Sequence, residues 1–282
     1  MKTIAIYHKH CTDGTTAAAV VLKKYPDALV FPMSHGYSPE EIAPILIQAN
    51  PGDQIFTVDC VMGAREFLDA GYKVTSIDHH ADQEVIHKQL EKENPNFTYV
   101  FNDKKSGASL SWEYFFPNEP TPELVKLVED RDLWNWKYSP ETDNLTNRLW
   151  MFDDQPEKIL KIMSGPLDDI KKEGSVISGY NKALIDMTIK DIEPLMLQIG
   201  PYKVATYNVT MFRSEIGHEL CEIRKETVGL FTVESHEVCF SFRGNGKFSP
   251  TAVEIAHVLG GGGHRNAAGA RMKLEDFIKA II

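Results

Sequence analysis

Between Thr3 and Phe101 five short apolar runs, TIAIYH, ALVFPM, IFTVDC, KVTSID and FTYVF, alternate with stretches of helical period. Those stretches are TTAAAVVLKKY, SPEEIAPILIQA, GAREFLDA and DQEVIHKQLEKE. Parallel neighbours cannot be joined by a tight turn, so the alternation predicts a parallel sheet with crossover helices. SPEE supports the second helix directly, because Ser38 and Glu41 have the spacing of a capping box. In an open sheet of this kind ligands bind beyond the carboxyl ends of the strands. TIAIYH, IFTVDC and KVTSID end in or beside His8, Asp59 and Asp78. These ends are expected to converge.

From Ser106 to about Leu197 the pattern is helical. After Pro194 and GPY it becomes strand, helix, strand, strand, helix, and the tail GGGGHRNAAGARM leads into a closing helix. The predicted fold class is α/β. An N-terminal parallel-sheet domain with flanking helices (residues 1–195) precedes a smaller C-terminal α/β domain (residues 196–282), with a cleft between them. A chain of 282 residues is long enough to bury two cores.

Charge limits the partner. With 30 Lys and Arg against 40 Asp and Glu the formal net charge is -10, opposite to the basic track that long nucleic acid needs. A short phosphorylated molecule remains compatible, because local cations outweigh a distant acidic surface within a Debye length of ~8 Å. Cys11, Cys60, Cys221 and Cys239 form no CxxC pair, so no disulfide framework is expected. The opening apolar stretch is shorter than a signal peptide requires, and no run approaches the ~20 residues of a membrane span. The expectation is a cytoplasmic protein that meets no membrane.

Four clusters carry ligand chemistry: HKHCTDG (His8–Gly14), Asp59 in TVDC, Asp78-His79-His80, and VEDRDLW with Asp130 and Asp132. A lone strand-end Asp is commonly a cap or turn former. Several carboxylates and imidazoles at the ends of adjacent strands are hard to explain that way, and they suit a cation of intermediate hardness such as Mn²⁺.

The order HxxCxDG, VDC, DHH, DRDLW and finally GGGGHRNAAG resembles the DHH phosphoesterase superfamily with its C-terminal DHH-associated domain, over nearly the whole chain. The resemblance implies metal-dependent phosphoester hydrolysis. It makes His8, Asp13, Asp59, His79 and Asp130 the metal ligands, Asp59 bridging two Mn²⁺ ions, with Mg²⁺ as the alternative. His80 would face the substrate as hydrogen-bond donor or general acid, and Asp78 would orient the imidazoles. Asp59 and His80 are thus the expected catalytic residues. His10 is the weaker alternative to His8.

In the tail, consecutive glycines let the backbone approach an anion, and a guanidinium can grip phosphate bidentately. Gly262, Gly263, His264 and Arg265 are therefore expected to bind substrate, with Arg243 of SFRG as a second clamp. The expected reaction is cleavage of short oligonucleotides, linear dinucleotides of the pGpG or pApA type, to mononucleotides. A phosphomonoesterase on nucleoside bisphosphates, a polyphosphatase, or a non-catalytic nucleotide sensor are the alternatives, and a homodimer is compatible. Cys11 stands where relatives carry an Asp. A thiol is soft whereas Mn²⁺ prefers oxygen, so Cys11 is expected to pack beneath the site rather than bind Mn²⁺.

Overall fold

Strand β1 (Thr3–His8) alternates its side chains between two apolar layers, which is possible only for a strand covered on both faces. Ala5 and Tyr7 enter one core cluster, Ile4 and Ile6 the other. The computed structural model describes residues 2–282. β1 pairs in parallel with β2 (Leu29–Met33) and β3 (Gln54–Val58), and β4 (Lys73–Asp78) and β5 (Phe97–Phe101) extend the sheet on the β3 side. The order is β2-β1-β3-β4-β5.

The crossovers are α1 (Thr12–Lys24), α2 (Pro39–Leu46), α3 (Ala64–Asp69) and α4 (Glu84–Glu93). Ser38 caps α2 in the expected box with Glu41. After β5 come α5 (Gly107–Phe115), α6 (Glu123–Asp132), α7 (Glu141–Leu149), α8 (Pro156–Met163) and the long α9 (Asp168–Asp191). The alanines and valines of α1 share a core with residues of α5, α6 and α7.

The chain divides into two compact units, the first ending at Gly179 and the second spanning Tyr180–Ile282. The division falls inside α9 rather than near residue 195, because Ile185 and Ile189 pack with the second unit's core. The second unit contains β6 (Leu195–Ile199), β7 (Tyr202–Asn208), α10 (Arg213–Arg224), β8 (Val228–Glu234) and β9 (Glu237–Arg243). It closes with α11 (Ala252–Val258), β10 (Gly262–Gly263), β11 (Ala267–Lys273) and α12 (Leu274–Ala280). Its sheet runs β10-β11-β9-β8-β7-β6, antiparallel except for β7 against β8.

Strands depart from the sequence expectation at two places, before β7 and in the glycine-rich tail that holds β10 and β11. Leu195–Ile199, expected to end a helix, pairs with β7, since Pro194 removes a helical donor and the following LMLQI fits a pleated surface. Ala267–Lys273, expected as part of a glycine-rich tail, pairs along the length of β9. Among the described residues no helix is long and apolar enough to cross a membrane.

Candidate metal centre

The three adjacent strands β1, β3 and β4 deliver their ends to one edge. Tyr7 pairs with Val58 and Val58 with Ile77, so His8, Asp59 and Asp78-His79-His80 follow side by side. Asp59 stands immediately after β3 with φ 56°, its N–H donating to Ile77 O at 2.9 Å. Left-handed backbone is costly for a residue with a Cβ, and such strain collects at functional sites. Two glycines make room. A Cβ on Gly107 would lie 2.6 Å from Asp59 Cβ, and one on Gly14 would lie 2.4 Å from the His8 carbonyl oxygen.

Asp59 is 0% exposed and central to the group. His79 Nε2 lies 3.1 Å from its Oδ1, 3.5 Å from Asp132 Oδ2 and 3.9 Å from Asp13 Oδ2. His8 Nδ1 lies 3.5 Å from Asp59 Oδ2. Neither Asp59 oxygen, nor His79 Nε2, nor His8 Nδ1 has a hydrogen-bond partner. Each such buried orphan costs about 1–3 kcal/mol, so a cluster of them marks a missing ligand. Lone pairs of oxygen and nitrogen aimed at one volume suit a divalent cation. Donor atoms of His8, Cys11 and Asp59, of Asp59, His79 and His80, and of Asp13, His79 and Asp132 form sets within 4.8 Å of one another. The residues fit a metal centre.

Electrostatics agree. Burial, and then repulsion from Asp59 and Asp132, raises the Asp13 carboxyl well above the usual carboxylate range. Burial raises Asp132 too, Asp59 adding to it against the pull of His79. Burial would raise Asp59, but His79 and His8 beside it hold it well below. For His79 burial opposes the charge, yet Asp59, Asp132 and Asp13 carry it up to about 10. Crowded carboxylates of this kind are relieved by a cation. The Cys11 thiol is pushed up by burial and then by Asp59.

His80 differs from His79 in being fixed from behind. Its Nδ1 donates to Asp78 Oδ1 at 2.7 Å, and the same oxygen accepts the backbone N–H groups of His79 and His80. Burial opposes its charge, but Asp78 and Asp59 carry it up to about 9. Fully buried His87 lies 2.8 Å from Ser76 Oγ and 3.9 Å from Asp78 Oδ2, an oxygen that has no hydrogen-bond partner.

Of the expected ligands, His8, Asp13, Asp59 and His79 come together, and Asp130 does not. Its carboxylate accepts from Lys137 N at 2.9 Å, Tyr138 N at 3.1 Å and Thr142 Oγ1 at 2.5 Å, so it closes the loop after α6. Asp132 takes the place expected for Asp130, with its side chain 24% exposed. Cys11 lies among the donors instead of beneath them. His10 turns to Asp154, with Nδ1 to Oδ2 at 2.9 Å. Sequence reasoning missed His35, whose ring is 4.8 Å from that of His8 and 6.2 Å from that of His80. Its only signal was a Ser-His-Gly turn after β2.

In the second unit Arg243 ends β9 opposite Ala267, next to the turn that joins β10 to β11. His264 N donates to Ala267 O at 2.8 Å within that turn, and Arg265 Nη2 donates to Gly246 O at 3.0 Å. Arg243 Nη2 donates to Ser214 Oγ at 3.0 Å. Gly262 and Gly263 pair with Gly269 and Ala268, and a Cβ on Gly263 would lie 2.7 Å from Ala267 O. Close strand approach therefore accounts for Gly263.

No family model matches the chain. An uncharacterized protein of Acanthamoeba polyphaga mimivirus is 23% identical over 94% of this chain and 66% of its own length. The solved structure of RecJ from Thermus thermophilus in complex with Mn²⁺ superposes with a TM-score of 0.59 at 17% identity, over 98% of this chain and 50% of that one. An exonuclease RecJ bound to manganese gives 0.55 at 17% identity, over 98% and 87%. The chain thus spans just under two thirds of the viral relative and half of the Thermus RecJ chain. The whole-chain superposition, together with the parallel sheet that gathers the DHH triplet and the second sheet that follows it, gives this protein the fold of the DHH phosphoesterases.

Proposed function

We propose that the protein is a Mn²⁺-dependent phosphodiesterase that cleaves short oligonucleotides, linear dinucleotides of the pGpG or pApA type, to mononucleotides. The observation that carries this is Asp59: fully buried, with both carboxylate oxygens unpartnered between His8 and His79. His8, Asp13, Asp59, His79 and Asp132 would hold the cations. Bound divalent ions supply water activation and neutralise charge at phosphorus.

The chain's own groups do the rest. Water adds to phosphorus and the P–O ester bond breaks. His80, held by Asp78 through Nδ1, offers the Nε2 proton to a phosphoryl or leaving oxygen as charge develops. In the metal-free protein Asp78 and Asp59 hold that proton up to about 9 against the opposing effect of burial. Arg243 and Arg265 are assigned to a phosphate that does not react. The fold likeness to manganese-bound RecJ supports the metal, and the net charge of -10 supports a short substrate over a long one.

A panel of 5′-phosphorylated dinucleotides and longer oligomers, with a 3′,5′-bisphosphate and polyphosphate, tested in Mn²⁺ and in Mg²⁺, decides the matter. Dinucleotides are expected to turn over fastest and in Mn²⁺. Faster release of phosphate from the bisphosphate or polyphosphate refutes the diester reading. Nucleotide binding without turnover refutes the enzyme.

A further inference from the structure

Cys11 ends the link between β1 and α1 and occupies the N-cap position of that helix, in extended backbone, with its carbonyl accepting from Thr15 N at 2.9 Å. Its sulfur, a His8 ring nitrogen and an Asp59 oxygen lie within 4.8 Å of one another. The feature is not a lone cysteine, because both Asp59 oxygens and His8 Nδ1 are buried without hydrogen-bond partners. The neighbouring set of Asp13, His79 and Asp132 offers only oxygen and nitrogen.

The two positions therefore differ in softness. Mg²⁺ and Mn²⁺ favour all-oxygen or oxygen–nitrogen surroundings, whereas Zn²⁺ accepts sulfur, nitrogen and oxygen together and stands above Mn²⁺ in the general affinity order. We infer that His8, Cys11 and Asp59 form a nitrogen–sulfur–oxygen site selective for a borderline cation, Zn²⁺ first, while the Asp13–His79–Asp132 position takes Mn²⁺ or Mg²⁺. The site rests on the metal-dependent reading above and deepens it: the protein is loaded with two different metals. Coordination forms one sulfur–metal bond and releases one proton to solvent, with no change of oxidation state.

Metal-free protein titrated with Co²⁺ tests this without reference to turnover. The wild type is expected to develop a near-ultraviolet thiolate-to-Co²⁺ charge-transfer band that Zn²⁺ abolishes by displacement. Cys11→Ser should lose the band, and Zn²⁺ affinity should fall by at least ~10²-fold, the upper end of what loss of mere outer partners costs. Cys11→Asp, which offers a hard donor, should show a smaller preference for Zn²⁺ over Mn²⁺ than the wild type when both ions are offered and bound metal is counted by mass spectrometry. A band that persists in Cys11→Ser, or Co²⁺ binding to the wild type without a band, overturns the inference. In that event Mn²⁺-dependent cleavage can still stand. A Cys11-dependent band in a protein that cleaves no phosphodiester upholds the metal site and refutes the activity instead.

Discussion

Asp130 and Asp132 stand two places apart on α6, and two places on a helix is about 200° of rotation, so the pair cannot serve one site together. The sequence EDRD offers both carboxylates and does not say which face meets the sheet edge. Only packing settles it, by giving Asp130 two donors from the following loop and one from α7 and turning Asp132 to His79. Asp130→Ala is expected to cost about 1–3 kcal/mol of stability through the orphaned donors while leaving Mn²⁺ affinity unchanged. Asp132→Asn should do the reverse, and paired thermal melts and Mn²⁺ titrations separate the two. Equal loss of Mn²⁺ affinity in both variants contradicts the assignment. By contrast His8, Asp13, Asp59 and His79 were legible, because a strand end or helix start fixes where each residue goes. A second prediction concerns protons. Burial disfavours charge on His80, yet Asp78 and Asp59 raise it from 6.5 to about 9. A proton bound more tightly in the folded state stabilises fully below pH 6.5 and is lost as pH rises through about 9. His79, raised to about 10 in the metal-free protein, acts in the same direction. Metal-free protein should therefore lose stability across this window, the His80 part on the order of 3 kcal/mol at 1.36 kcal/mol per unit. Asp78→Asn should flatten that part. Unfolding midpoints measured in chelator across the window check it, and an unchanged slope in Asp78→Asn rejects the pairing as its source.

Helix α5 approaches the centre with its first turn, where Gly107 N and Ala108 N donate to the two Asp13 oxygens at 2.6 and 3.1 Å. Its N-terminus thus holds a carboxylate by hydrogen bonds and by dipole, and that hold demands a glycine. Replacing a helical glycine with alanine ordinarily stabilises by about 1 kcal/mol. Here a Cβ would also lie 2.8 Å from Asp59 Cα, a backbone atom that cannot rotate away. Gly107→Ala is accordingly expected to lower the melting temperature and raise the Mn²⁺ concentration for half-maximal binding at least ~10-fold. A higher melting temperature with unchanged binding means that helix propensity outweighs the contact. The parallel strands were readable because burial on both faces writes them as continuous apolar runs. β10 and β11 were not, since GG and AAGARMK lack the branched and aromatic residues that announce a strand. They pair because glycine and alanine let backbones come close, as the 2.1 Å approach of a Gly261 Cβ to Gly269 O shows.

The molecule as a whole is acidic, with a net charge of -10, so any grip on a phosphate must be local. The first unit concentrates carboxylates that only cations can neutralise, and the second carries Arg243 and Arg265 close to one turn. Each unit has its own core, so a change at that turn leaves the metal centre's packing intact. The Arg265 side chain is exposed and donates to Gly246 O, while the bond from Ala252 N uses the backbone carbonyl, which alanine keeps. Arg265→Ala should then alter stability by no more than about 0.5 kcal/mol, as surface substitutions do. If its guanidinium holds a phosphate that does not react, the contact is equal in ground and transition states, and its loss appears in KM with kcat unchanged. A charge-assisted hydrogen bond of about 1.5–3 kcal/mol corresponds to a rise in KM of roughly 10- to 150-fold. Steady-state kinetics on the best dinucleotide measure both constants. A collapse of kcat at constant KM places Arg265 in the chemical step, and no change in either removes it from the site.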